Sequence, residues 1–157
     1  MRTVFIPQPS IFTTPIDEIE FDVFSRHELV PILMALQYLY TTRQETVRQI
    51  CELIESDLVG DKSKVVGRIG LTEWEILVLA SCRLGCSLDY DQLSDLSNNH
   101  RKIREMMGIC PSSLKRYPKS TIHDNICSLS PQTIDAITDL IVKEGHSLRP
   151  NALDKVR

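Results

Sequence analysis

Between Gly67 and Gly108 the chain starts and stops helices at short, regular intervals, and no long strand or single long helix can be threaded through that punctuation. Thr72 and Glu75 have the T-x-x-E spacing of a capping box, in which each side chain satisfies a backbone N–H that a helix start leaves free. Trp74, Leu77, Val78, Cys82 and Leu84 follow at the spacing of one helix face. Gly85 is placed to end that helix in the left-handed conformation. A second helix is capped by Ser87 or Asp89, takes Tyr90, Leu93 and Leu96 as its inner face, and is broken by Asn98 and Asn99. Ile103, Met106 and Met107 mark a third, which stops at Gly108. This plan of helix, turn, helix and a helix opening on His100-Arg101-Lys102 belongs to helix-turn-helix modules. It equally serves three-helix cores that bind no nucleic acid.

The same punctuation extends outward and predicts an all-α chain of about seven short helices. Residues 1–24, with Pro7, Pro9, Pro15 and four acids, predict an extended arm anchored by Ile16, Ile19 and Phe21, because proline removes a donor and opposes helix. A helical domain is expected over 25–146. Its first helix starts near Val30 with Pro31 at the first helical position. Its second is capped by Thr42 and Glu45 and carries the stripe Val47, Ile50, Cys51, Ile54 and Leu58. Arg43 and Arg48 read as solvated helix surface. Ser120 is expected to cap a helix with Ile122, Ile126 and Cys127 inward. Ser130-Pro131 opens a last helix that ends before Gly145. Residues 147–157 read as a tail or the start of a linker.

Charge is where composition enters. The chain's 157 residues carry a net charge of −3, so a nucleic-acid role must come from a local patch. Such a patch exists: from His100 to Lys119, Arg101, Lys102, Arg104, Lys115, Arg116 and Lys119 meet a single acid, Glu105. The glycine-containing loop 60–70 adds Lys62, Lys64 and Arg68, without the spacing of a Walker A loop. His100 could contact DNA or cap the third helix. Cys82 and Cys86 stand i, i+4 but have no second pair to complete a metal site, and read as small buried hydrophobes. No serine–histidine–aspartate set or dinucleotide fingerprint is present. Five scattered cysteines and no secretory leader point to a reducing cytoplasm. The apolar runs fall far short of the ~20 residues a membrane helix needs.

The stretch GRIGLTEWEILVLASCRLGCSLDYDQLSDLSNNHRKIREMMG also resembles the N-terminal region of bacterial insertion-sequence transposases of the ISNCY-type DDE class. The matching positions are Gly67, Arg68, Gly70, Trp74, Ile76 to Leu79, Arg83, Leu84, Cys86, Asp89 to Asp91, Leu93, Asn98 to Arg101, Arg104 and Gly108, with a methionine at 106. A looser likeness covers the ends of the chain. The resemblance implies a DNA-binding region that recognises the terminal inverted repeats of the element. It implies double-stranded DNA as partner and a homodimer as a possible assembly, with no cofactor, metal, membrane or small-molecule substrate. The residues expected to contact DNA are Arg68, Asn99, His100, Arg101, Lys102, Arg104, Lys115, Arg116 and Lys119. Cations would neutralise phosphates, and Asn99 could read an adenine edge. The metal-binding carboxylates of such transposases lie in a domain that follows this region, so the chain is expected neither to cut nor to join DNA by itself. Two other readings stay open: a helical interaction module that uses the outer faces of the pair at 26–59, and an enzyme of unrecognised type, which no sequence feature supports.

Overall fold

The computed structural model describes residues 11–59 and 70–148. Among them are seven α-helices, one short 3-10 turn and no strand, so the fold is all-α. The helices are α1 (Leu29–Thr42), α2 (Gln44–Val59), α3 (Glu73–Gly85), α4 (Tyr90–Asn99), α5 (Arg101–Met106), α6 (Lys119–Cys127) and α7 (Pro131–Ser147).

Helix α3 is the hub, packed against α1, α2, α4 and α6. Every residue from Glu73 to Leu79 is buried, so Ile76 and Leu79 join the core beside the expected stripe, while Leu84 at the far end is exposed. A helix enclosed on all sides has no outer face to mark in its sequence. Around it lie Leu33 and Leu36 of α1, Ile50 and Ile54 of α2, Leu93 of α4, Ile103 and Met106 of α5, and Ile122 of α6. Helix α7 lies along α2, where Arg43 Nε (2.8 Å) and Thr46 Oγ1 (2.6 Å) both donate to Glu144. Arg43 is therefore a packing contact between helices rather than plain solvated surface. Before α1, Ile16 and Ile19 are buried, and the Gln37 amide donates to both of their carbonyls, at 2.7 and 2.9 Å.

Several helix ends match their sequence signals. Both halves of the Thr72–Glu75 capping box form. Asp89 caps α4 and makes a second box with Gln92. Ser130 caps α7 with Pro131 in its first turn. Gly108 takes φ 71°, and the Gly108 and Ile109 N–H groups donate back to Glu105 and Arg104, closing a Schellman turn.

Other ends differ. The left-handed residue after α3 is Ser87 (φ 52°), not Gly85: the Leu88 N–H reaches the Arg83 carbonyl, which puts the turn two residues later. Gly85 is helical, and its reason is proximity, since a Cβ there would run into the Ile32 side chain of α1. Helix α1 starts at Leu29, leaving Pro31 third rather than first. Thr42 does not cap α2. Its hydroxyl donates to the Tyr38 carbonyl and so belongs to the last turn of α1, while Glu45 pairs with Arg48. Asn98 and Asn99 lie inside α4, and the break falls at His100. Helix α6 begins at Lys119 after Pro118, so Ser120 is no cap, and Cys127 is exposed rather than inward. Helix α7 runs through Gly145 to Ser147, because one exposed glycine costs a helix only about 1 kcal/mol.

Candidate nucleic-acid interface

Helix α5 is six residues long, and three of them (Ile103, Glu105 and Met106) are buried. It cannot hold itself, because so short a helix is unstable alone. The Trp74 indole N–H of α3 donates to the Met106 carbonyl at 2.8 Å, fixing its C-terminal end. At its other end His100 serves both helices: it ends α4, and its Nδ1 accepts the Ile103 N–H at 3.4 Å. Of the two roles open to His100, the geometry is that of the cap.

That cap needs a neutral imidazole. Burial, with the nearby charges of His27 and Lys102 adding to it, holds His100 below its ordinary value of 6.5. A histidine that is harder to protonate when folded contributes stability that is complete above 6.5 and declines as the pH falls through that value. His100→Asn keeps a cap without a titrating group. Thermal melts from about pH 8 to about pH 5 are expected to show a smaller acid-side loss in His100→Asn than in the wild type. Equal losses would rule His100 out as their source.

The segment after α5, residues 109–118, is laid against α3, α4 and α5 by Asn98, Arg104 and Glu75, in roles their sequence positions do not announce. Asn98 pairs with both backbone groups of Tyr117, donating to its carbonyl at 2.9 Å and accepting its N–H at 2.8 Å. Arg104 donates to the carbonyls of Lys115 and Ser113, each at 2.9 Å. Glu75 caps α3 through Oε2, and its Oε1 accepts from the Tyr117 hydroxyl and from Lys115 Nζ (3.2 Å). Burial and the Glu75 charge push the Tyr117 phenol far upward, so it remains a donor. The capping box signalled the local part of Glu75's role. Nothing local signals partners forty residues away.

Between α5 and this segment lies an open cleft of about 550 Å³, lined by Asn98, Asn99, Arg101, Arg104, Lys115 and Arg116 among others. Five of the residues expected at a DNA contact thus converge on one place. Lys102, His100 and Lys119 lie outside the lining, and Arg68 falls outside the described residues.

None of the six cations in the cluster stands alone. Arg101 (2.7 Å) and Lys102 (3.3 Å) both pair with Glu105, whose side chain is 3% exposed. Lys115 pairs with Glu75 and lies over the Tyr117 ring. Arg116 donates to the Asn99 side-chain oxygen at 2.9 Å, and Asn99 in turn donates to Asp95. Lys119 pairs with Asp91 at 2.6 Å. In space, then, four of the six cations pair with three carboxylates (Glu75, Asp91 and Glu105) where the linear segment shows one, and Arg116 reaches Asp95 only through Asn99. The cations still reach solvent: the Arg101 side chain is 76% exposed and that of Lys115 50%.

Cys82 is fully buried, and burial pushes its thiol up to about 12. No group of three or more His, Cys, Asp or Glu side chains is placed to hold a metal ion among the described residues. No helix among them is long and apolar enough to cross a membrane. No family model, curated protein or solved structure matches the chain.

Proposed function

We propose that the chain is a DNA-binding region of the kind its resemblance to insertion-sequence transposases implies, recognising the terminal repeats of an element and carrying no cutting or joining activity of its own. The observation that supports this most is the cleft where Arg101, Lys115 and Arg116 arrive from two chain segments. Their internal partners orient them while leaving them solvent-accessible, and cations held in advance lose little freedom on meeting phosphate. Arg104 serves the interface by fixing the segment, since its guanidinium is taken up by two carbonyls.

The test is fluorescence anisotropy of labelled duplex DNA, of random sequence and of element ends, at several salt concentrations. Neutralising about four phosphates predicts a log–log salt slope of roughly −3 to −4. Arg116→Ala is the cleanest variant. Its partner Asn99 is exposed, whereas removing Arg101 or Lys115 would strip a cation from a buried carboxylate. That variant is expected to weaken binding to all sequences and to lower the slope by about 1. Preference for element ends would support repeat recognition. Absence of binding at low salt would defeat the proposal and leave the helical interaction module as the better reading.

A further inference from the structure

Outside that cleft's lining, four side chains from three helices, α3, α4 and α6, gather around an exposed thiol. Cys127 Sγ lies 3.6 Å from His123 Nε2, one turn back on α6, and 3.3 Å from the Tyr90 hydroxyl of α4. The other nitrogen of the same imidazole, Nδ1, lies 3.1 Å from Asp124 Oδ1. The His123 ring meets the Tyr90 ring edge-on at 4.7 Å, and the Arg83 guanidinium of α3 covers Tyr90 at 4.4 Å. Lys119, one turn before His123 on α6, and Asp91, next to Tyr90 on α4, are paired with each other.

Thiol, imidazole and carboxylate in line is the arrangement by which a base activates a nucleophile and a third group orients the base. We propose that Cys127 is a reactive thiol activated by His123, forming a mixed disulfide with small disulfides from solution. Asp124 accepts the Nδ1 proton of His123, which leaves Nε2 free to take the proton of the thiol. The Cys127 thiolate then attacks one sulfur of R–S–S–R. A new Sγ–S bond forms, the old S–S bond breaks, and RS⁻ leaves and collects the proton from His123. Cys127 is oxidised to the mixed disulfide, and the departing half is reduced to the thiol. Tyr90 donates a hydrogen bond to the thiolate, and Arg83 over its ring favours that polarity.

Three of the other thiols are poorer candidates. Cys51 and Cys82 are buried, and burial pushes both up to about 12. Cys86 is half-buried at the end of α3, and burial raises it as well. Cys110 is the competing thiol: hydrogen bonding to Ser112 holds it below its ordinary value, so it is removed as Cys110→Ser to isolate Cys127.

In that background, native protein is mixed with an aromatic disulfide reagent and, separately, with oxidised glutathione. The rate is followed by absorbance and the site by peptide mass spectrometry. Cys127 is expected to react about tenfold faster than an unstructured cysteine peptide at neutral pH. His123→Ala is expected to bring the rate down to that of the peptide, with its thermal melt unchanged because His123 is half exposed. The Cys110→Ser chain with His123 intact provides an independent readout: from about pH 8 to about pH 6 its rate at Cys127 should fall much less than the tenfold per unit of an ordinary thiol. A Cys127 that reacts no faster than the peptide, or with the peptide's pH dependence, overturns the proposal, as does a folded His123→Ala that keeps the full rate.

Discussion

Trp74→Ala is expected to destabilise the protein by about 3–5 kcal/mol, the range for removing a large buried aromatic. Trp74 is 1% exposed, its ring meets Tyr40 at 4.9 Å, and its N–H is the hydrogen bond that holds the end of α5. The loss has two parts. The cavity is one, and the Met106 carbonyl left without its donor is the other, at about 1–3 kcal/mol. Trp74→Phe separates them, since it keeps most of the ring but no donor. Urea unfolding should move the midpoint far down for alanine and part of the way for phenylalanine, with the slope m unchanged in both. An alanine variant less than about 1 kcal/mol down would mean that the site collapses around the missing ring and that Trp74 is not the anchor of α5.

Glu75→Ala is expected to cost about 3 kcal/mol, through a lost helix cap (about 1) and a stranded buried donor at Tyr117 (about 1–3). Its effect should be spatially concentrated. The carboxylate joins the start of α3 to Tyr117 and Lys115, so the segment 109–118 should loosen before the rest of the core. Limited proteolysis is the direct measurement, with new cleavage around Lys115 and Arg116 expected in the variant and little in the wild type. Tyr117→Phe removes one of the three contacts and should give a weaker version of the same pattern. If both variants unfold globally without local cleavage, Glu75 supports the whole fold and not the segment. On the DNA-binding reading, loosening the segment also weakens binding, because Lys115 and Arg116 lose their fixed positions.

The helix punctuation was legible without coordinates because caps act over three or four residues. Thr72 with Glu75, Asp89, Ser130-Pro131 and Gly108 all act where the sequence places them, and together they determine an all-α chain of short helices. The errors fell where a neighbour in space outcompetes a neighbour in sequence. Gly85 looks like a helix terminator but is small to admit Ile32, and Thr42 looks like a cap but bonds back into α1. Charge shows the same division. Read along the chain, residues 100–119 are a run of cations with one acid. Only folding brings Glu75 and Asp91 against them, turning a bare basic run into a set of oriented ion pairs, some of them beside a cleft. Coulomb interactions and hydrogen bonds depend on distance through space. Two carboxylates 28 and 40 residues away in the chain are therefore invisible until the helices pack. For the same reason Cys127, which looks from its spacing like a core residue, meets His123 and Tyr90 at the surface only once α6 has docked on α4.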